Sequence, residues 1–163
     1  MKKLHLIRHA KSSWANEALA DIDRPLNSRG SEACRTMAPQ MVQAGCPFEP
    51  VFCSPARRAQ STIEQLAQHL LDREISWQTD DELYTFDANA LLKWCRNLDD
   101  SLLEAVVVGH NAAMTDLCNQ IGDRFIKNVP TCGYVQLVFA QNSWQDLSAG
   151  SGKLLSFLKP KMF

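Results

Sequence analysis

The sequence predicts an α/β fold, a three-layer α/β/α sandwich with a mainly parallel central sheet. Apolar runs at residues 4–7 and 105–109 have the length and composition of buried strands, and the second is rich in β-branched side chains. Segments with apolar residues at helical spacing separate such runs, which is typical of a sheet covered by helices. The length of 163 residues fits one domain, so we expect a single domain over residues 1–163.

The first predicted unit is a strand, a polar loop and a helix. Residues 4–7 form the strand, which stops at a cluster of polar side chains. After the loop, Asn27 or Ser28 can cap a helix that ends at Gly45. Pro39 should perturb this helix because proline removes a backbone donor from its interior.

A second unit repeats the pattern. Residues 51–53 predict a short strand, and Ser54 followed by Pro55 is a good helix opening with serine as the N-cap. Residues 74–77 resemble another strand, and apolar spacing predicts a helix over residues 88–96.

The last elements complete the sheet. Residues 105–109 form the most apolar predicted strand, and a helix over about residues 112–121 should end at Gly122. Two strands follow, at residues 133–139 and 154–158, with a Gly/Ser turn between them. We expect this pair to add one antiparallel member to the sheet.

Composition excludes several classes of partner. The 17 basic and 18 acidic residues give a net charge of −1, so no overall field attracts nucleic acid or an anionic membrane. The six cysteines form no CxxC pair, which favours inert thiols in a reducing compartment over a zinc or redox site. Neither a signal-peptide core nor a run of about 20 apolar residues is visible, and we therefore expect a cytoplasmic protein.

Three predicted strand-to-helix junctions carry unusual side chains. Arg8 and His9 follow the first strand, Arg57 and Arg58 follow the second, and His110 follows the valine-rich one. Because such junctions meet at one edge of a parallel sheet, two histidines and at least two arginines should share a pocket. Guanidinium groups match phosphoryl oxygens, and histidine near neutrality can act as a nucleophile or a donor. This set predicts phosphoryl transfer.

Four blocks of residues resemble a known family. They are Arg-His-Ala-Lys-Ser-Ser-Trp at 8–14, Asp-Arg-Pro-Leu-Asn-Ser-Arg-Gly at 23–30, Ser-Pro-Ala-Arg-Arg-Ala-Gln-Ser-Thr at 54–62 and Val-Gly-His-Asn at 108–111. In order and spacing they are similar to the SixA-type phosphohistidine phosphatases of the histidine phosphatase superfamily. The resemblance spans nearly the whole chain and implies a phosphoglycerate mutase-like fold.

The resemblance also implies roles for particular residues. His9 would be the nucleophile that is transiently phosphorylated, Arg8 and Arg58 would hold the phosphoryl group, and His110 would donate to its oxygens. Attack requires neutral His9, with one ring nitrogen held as N–H by an acceptor. No cofactor and no metal is implied, and two histidines without a convincing carboxylate set make a zinc site the weaker hypothesis.

Further candidates are less well defined by the pattern. Ser12 can donate to bound phosphate or form a turn hydrogen bond, and Arg57 can contact substrate or be a solvated charge at a helix start. Glu82, Asp21 and Asp23 are candidates for a general acid that would protonate a leaving group, but none lies in a block that defines its role, and such loop acids are more often solvated charges.

The expected substrate is phosphohistidine on another protein, such as a phosphotransfer domain of a signalling pathway. Its imidazole leaves more readily than an alkoxide, and the chain has little room for insertions that would cover a small metabolite. One alternative is a small phosphoester phosphatase of the same superfamily, since kinship of fold transfers substrate poorly. Another is a regulatory module that binds phosphohistidine without hydrolysing it.

Overall fold

The computed structural model describes residues 1–163 and contains one six-stranded sheet with four α-helices. The strands are β1 (Lys2–Arg8), β2 (Val51–Cys53), β3 (Gln78–Thr79), β4 (Glu104–Gly109), β5 (Tyr134–Phe139) and β6 (Gly152–Leu158). The α-helices are α1 (Ser28–Gln43), α2 (Arg57–Gln68), α3 (Ala88–Arg96) and α4 (Ala113–Ile121).

The sheet has the strand order β3-β2-β4-β1-β5-β6. Strands β1, β2, β3 and β4 are parallel, whereas β5 is antiparallel both to β1 and to β6. Only β5 therefore runs against the others, and the prediction of a mainly parallel sheet with one antiparallel member is confirmed.

Apolar side chains from alternate positions of the central strands enter two separate cores. Leu6 and Val107 lie in a core with α3 and α4, whereas Ile7 and Val108 lie in a core with α1 and α2. Because successive strand residues point to opposite faces, an unbroken apolar run fills both cores at once. The α/β/α sandwich is confirmed.

The carboxyl ends of β1, β2 and β4 meet at one edge of the sheet, here called the carboxyl edge. His9 donates its backbone N–H to Gly109 O at 3.0 Å, and Ser54 donates its N–H to Val108 O at 3.0 Å. The residues that leave these three strands are thus held side by side by extensions of the sheet hydrogen bonding.

Helix α1 begins and ends as the sequence predicts. Asn27 caps it by accepting the Gly30 N–H at 2.8 Å, and Gly45 follows its end with a φ of 107°, a conformation that favours glycine. A Cβ on Gly30 would overlap the carbonyl oxygen of Lys11, so only glycine lets the helix approach this loop. The helix continues through exposed Pro39, so the expected perturbation does not interrupt it.

One predicted strand and one predicted helix start are wrong. Residues 74–77 are not a strand: Trp77 donates Nε1–H to Gln60, and Ile75 and Trp77 pack on the core beside α1 and α2, so their apolar character reflects packing instead of sheet pairing. Helix α2 begins at Arg57 and Ser54 is not its N-cap, because Ser54 remains tied to the end of β4.

All six cysteines are buried free thiols, as the sequence predicts. None of the helices combines the length and the apolar character that a bilayer crossing requires.

Candidate active site

A cavity of about 290 Å³ opens at the carboxyl edge of the sheet. Its walls include three arginines, Arg8, Arg24 and Arg58, together with His9 and a single carboxylate, Asp21. The sequence-predicted pair Arg8–His9 reaches it from β1, and Arg58 reaches it from the first turn of α2. The three strand-to-helix junctions therefore converge as predicted.

His9 is held in one tautomer by the backbone. Its Nδ1 lies 2.7 Å from Ala10 O, and because a carbonyl can only accept, Nδ1 carries the proton and Nε2 keeps its lone pair. The Ala10 N–H is bound by Thr62 Oγ1 at 2.8 Å, which fixes the turn that carries the ring. Nε2 makes no hydrogen bond within the protein, so it is available to a reacting atom in the cavity.

The surroundings of His9 also keep the ring neutral. The side chain is only 7% exposed, and burial lowers the pKa of His9 to about 4, with further lowering by the nearby charges of Arg58, Arg8 and Arg24. The bond to Ala10 O opposes this shift without cancelling it. At neutral pH the imidazole therefore has the charge state that nucleophilic attack requires.

Two guanidinium groups that the sequence singles out are fixed by oxygen acceptors. Arg8 Nη1 donates to Val129 O at 3.0 Å, and Arg58 donates Nη1 to Asp21 O at 2.7 Å and Nη2 to Asp21 Oδ2 at 2.9 Å. Arg58 is 2% exposed, so this cation is placed in the protein interior with little freedom to move.

His110 lies beside His9, with the two ring centroids 5.3 Å apart. Its Nε2 is 2.8 Å from Ser54 Oγ, and that oxygen also accepts the Ala56 N–H at 3.2 Å. The Ser54 hydroxyl can donate its proton to Nε2, and in that tautomer the His110 ring proton is on Nδ1. Burial first, then the charges of His9 and Arg58, lower the pKa of His110 to about 3, so this ring is also neutral.

Three buried N–H groups of these side chains have no acceptor within the protein. They are Arg8 Nε, Arg58 Nε and His110 Nδ1. Buried donors without partners are costly, and several at one place indicate a site built for an oxygen-rich anion. A tetrahedral phosphoryl group has the charge and the number of oxygens to accept from all three.

Asp21 lies at the mouth of the cavity as an ionised group. Burial acts to raise its pKa, but hydrogen bonds from Tyr84 Oη at 2.5 Å and from Arg58, together with Arg24, lower it to about 2. While these bonds are intact, Asp21 has no proton to give a leaving group. Asp23, the other loop candidate, is exposed and does not line the cavity.

Of the three candidates for substrate binding, Ser12, Arg57 and Glu82, only Ser12 enters the cavity. Its Oγ accepts from Arg24 Nη1 at 2.7 Å, so its first role is to hold that arginine. Arg57 is exposed at the start of α2, since adjacent helix residues point about 100° apart and Arg58 takes the inward direction. Glu82 is exposed on a 3₁₀ turn (Asp81–Leu83) and lines two other clefts instead.

Several residues that shape the site were not singled out from the sequence. Arg24 lies over the Trp14 ring at 3.6 Å and reaches the cavity from the loop after β1. Tyr84 and Phe86 contact the His110 ring edge-on, with centroids 5.5 and 5.4 Å away. The position of Arg24 within the block at residues 23–30 was an available signal, whereas neither aromatic residue lies in any pattern.

The loop after β4 is braced by Asn111. Its Oδ1 accepts the Thr115 N–H at 3.0 Å, and its Nδ2 donates to Asn128 Oδ1 and Val129 O. Asn111 therefore ties the start of α4 to the segment that also holds Arg8. Across the molecule, no group of three or more His, Cys, Asp or Glu side chains is arranged to hold a metal ion.

Comparisons with known proteins agree with the fold. The chain is similar to an uncharacterized protein of Mycobacterium tuberculosis, with 28% identity over 95% of this chain and 100% of that protein. Its fold is similar to that of the protein histidine phosphatase SixA complexed with tungstate, with a TM-score of 0.79, 20% identity and 98% of each chain covered. It is also similar to phosphoserine phosphatase of Entamoeba histolytica in complex with 3-phosphoglyceric acid, with a TM-score of 0.66, 16% identity and 98% of each chain covered.

The family itself is shown by a match to the sequence model of the histidine phosphatase superfamily (branch 1). That match covers residues 4–91, more than half of the chain, and includes Arg8, His9 and Arg58. The protein therefore belongs to the histidine phosphatase superfamily, branch 1, has the phosphoglycerate mutase-like fold of the SixA enzymes, and is a phosphatase of that superfamily.

Proposed function

We propose that this protein is a metal-independent phosphohistidine phosphatase that acts on a signalling protein such as a phosphotransfer domain, through a phosphohistidine intermediate on His9. The observation that carries the proposal is the state of the His9 ring. It is neutral, its Nδ1–H is fixed on Ala10 O, and its unpaired Nε2 lies among three guanidinium groups.

Binding of the phosphoryl group comes first. Arg8 and Arg58 neutralise its charge, and the unpaired donors Arg8 Nε, Arg58 Nε and His110 Nδ1 supply hydrogen bonds to its oxygens. Asp21 competes for Arg58 in the free protein, so binding of a phosphoryl dianion exchanges one carboxylate partner of Arg58 for a more highly charged one.

Transfer to His9 then proceeds in line. The Nε2 lone pair of His9 forms a bond to phosphorus while the bond from phosphorus to the substrate nitrogen breaks. Ala10 O stabilises the positive charge that develops on the His9 ring through the Nδ1–H bond, whose geometry is already in place.

The leaving group distinguishes phosphohistidine from a phosphoester. A phosphohistidine that is protonated on its other ring nitrogen departs as neutral imidazole and needs no acid from the enzyme, whereas an alkoxide must receive a proton. Asp21 is the only carboxyl group that lines the cavity, and in the free protein, where Arg58 and Tyr84 bind it, its pKa of about 2 leaves it without a proton. The proposal therefore fits the site better than ester hydrolysis does.

Water completes the cycle. It attacks the phosphorus of phosphorylated His9, the bond from phosphorus to Nε2 breaks, and the proton lost by the water stays with the released phosphate. His9 returns to the neutral tautomer that Ala10 O holds.

The rim of the cavity supports a protein substrate. Trp14 is 74% exposed at the wall of the cavity, and Phe86 is also exposed there. Aromatic side chains left open beside a phosphate pocket can pack on the surface around a protruding phosphohistidine. The likeness of the fold to SixA, a protein histidine phosphatase by its name, supports the same substrate class.

A small phosphoester phosphatase is the second candidate. It is favoured by one observation, the likeness of the fold to a phosphoserine phosphatase. A regulatory module that binds phosphohistidine without turnover is less well supported, because such a module would not need a neutral histidine with a free Nε2 beside two fixed arginines.

The test is phosphate release from a histidine-phosphorylated phosphotransfer domain in excess EDTA, by the wild type and by His9→Ala. The proposal expects release by the wild type alone. Phosphoserine and 3-phosphoglycerate are assayed in parallel, and release from these without release from the phosphoprotein would favour the small-phosphoester alternative. Release that stops when EDTA is added would overturn the metal-free mechanism. Phosphate binding by His9→Ala, measured by calorimetry, shows that the variant retains its pocket.

A further inference from the structure

A second cavity adjoins the catalytic one and has a different chemistry. It encloses about 700 Å³, and five cationic side chains contribute to its walls: Lys11, Arg29, Lys127, Lys159 and Lys161. No acidic side chain lines it, and its only apolar side chains are those of Pro130 and Pro160. We call it the basic cleft.

The basic cleft is a local concentration of charge in a nearly neutral molecule. The whole chain has a net charge of −1, yet the cleft gathers five positive charges from separate parts of the sequence. None of the five cations forms an ion pair within the protein. Like charges brought together without counter-charges are unfavourable, so their assembly points to an anionic partner.

The basic cleft is continuous with the catalytic cavity. Lys11 and Thr131 line both, and Lys11 lies two residues after His9. The segment that lines the basic cleft through Lys127, Asn128, Pro130 and Thr131 also contains Val129, whose carbonyl accepts from Arg8 Nη1 and from Asn111 Nδ2. A molecule with its phosphoryl group at His9 therefore has the basic cleft immediately beside it.

The type of cation distinguishes the two cavities. The catalytic arginines are held by carbonyl and carboxylate oxygens, and Arg58 is fully buried. In the basic cleft four of the five cations are lysines, and Lys127 and Lys161 are exposed to solvent. Buried, fixed arginines suit a compact phosphoryl group, whereas mobile, hydrated lysines around a wide opening suit carboxylates spread over a protein surface.

We propose that the basic cleft is the docking surface for an acidic face of the phosphoprotein substrate, which lies beside its phosphohistidine. This inference rests on the proposed function. Carboxylates near the phosphohistidine pair with the cleft lysines, and the phosphoryl group then reaches His9 in the adjoining catalytic cavity. Specificity for the protein resides in the cleft, and chemistry resides in the catalytic cavity.

The test reverses charge in the basic cleft away from the catalytic cavity. The variant is Lys127→Glu/Lys161→Glu, and the matched control is Lys93→Glu/Lys153→Glu, which makes the same change at exposed lysines outside the cleft. Two substrates are compared, a histidine-phosphorylated phosphotransfer domain and the small molecule phosphoramidate. Circular dichroism and Tm establish that both variants are folded.

The proposal expects KM for the phosphoprotein to rise about tenfold or more at low ionic strength in the cleft variant, with little change in kcat. The control variant retains the wild-type KM, and KM for phosphoramidate changes less than about threefold in either variant. Replacing the carboxylates beside the phosphohistidine of the substrate by amides should raise KM for the wild type and leave it unchanged for the cleft variant.

Three results would overturn the proposal. One is an unchanged KM for the phosphoprotein in the cleft variant. Another is an equal rise in KM for phosphoramidate in that variant, because the cleft would then act only as a general electrostatic attraction for anions. The third is tight binding of triphosphate that is lost in the cleft variant while the phosphoprotein KM is retained, because the cleft would then hold a small polyanion. Absence of phosphoprotein turnover by the wild type is a separate result, since it refutes the proposed function and the docking with it.

Discussion

Replacing Ser54 with alanine tests how the fold controls the proton on His110. Ser54 Oγ lies 2.8 Å from His110 Nε2 and already accepts the Ala56 N–H, so its hydroxyl proton is available to the ring. In Ser54→Ala the Nδ1–H form of His110 loses a preference of about 1.4 kcal/mol, the net worth of an ordinary hydrogen bond and a factor of about ten in the tautomer ratio. Since Nδ1–H is the donor left for the phosphoryl group, and the two tautomers become about equally populated, kcat/KM should fall about twofold.

Two measurements separate this positioning role from a general loss of stability. Nitrogen NMR of the His110 ring reports which nitrogen carries the proton, and it should change from Nδ1–H toward a mixture in Ser54→Ala. Adding Ser54→Ala to His110→Ala provides the control, because without the ring the serine has nothing to orient and kcat/KM should not fall further. Equal losses in both backgrounds, or an unchanged tautomer, would refute the reasoning. We also expect the free energy of unfolding to fall by about 1–2 kcal/mol, from the lost buried hydrogen bonds.

Three other predictions concern charge in the catalytic cavity. His9 and His110 have pKa values of about 4 and 3, below the ordinary 6.5, so the unfolded chain binds more protons than the folded one between these values. Stability should therefore be full above about pH 6.5 and decline as the pH falls toward 4, which a series of Tm measurements checks. Asp21→Asn removes the carboxylate that competes for Arg58, and it should tighten phosphate binding by about threefold to tenfold in calorimetry; weaker binding would mean that Asp21 mainly orients the arginine. Arg24→Ala should weaken phosphate binding about tenfold, whereas exposed Arg57→Ala should change it by less than about twofold, and equal effects would contradict the assignment of Arg24 to the cavity.

The sheet and the convergence of its junctions could be predicted because they follow from local pattern and from general topology. The run at residues 105–109 is apolar at every position but its glycine, and only a strand covered on both faces accommodates that pattern. Once β1, β2 and β4 are parallel, the residues that leave their carboxyl ends must be neighbours. His9, Arg58 and His110 therefore share a site for a reason that the sequence already contains.

The rest of the site depends on loops, whose sequences show no regular spacing of apolar residues. Arg24 enters the cavity only because the loop after β1 folds back, with Trp14 against the guanidinium and Asp21 paired to it. Tyr84 and Phe86 reach His110 from the segment after β3. The contacts of Arg24 lie within one irregular loop, whereas Tyr84 and Phe86 are far from His110 in the chain, and neither spacing nor propensity encodes these contacts.

The strand predicted at residues 74–77 failed for a related reason. Ile75 and Trp77 are apolar because they cover the core beside α1 and α2, where the indole Nε1–H of Trp77 donates to Gln60 Oε1. Alternation of apolar and polar residues indicates which side chains are buried. An irregular segment that packs along a core can therefore show the same alternation as a strand.

The catalytic cavity and the basic cleft share one piece of backbone, and this limits how each can be altered. Val129 O fixes both Arg8 and Asn111, so a change that moves this backbone displaces a phosphate clamp as well as the wall of the cleft. The Lys127 side chain lines the cleft but does not line the catalytic cavity. Charge reversal at Lys127 therefore changes the attraction for a protein partner while it leaves the fixed arginine in place. Conversely, proline or glycine substitutions near Val129 would change kcat and KM together, since they act through the backbone that both sites use.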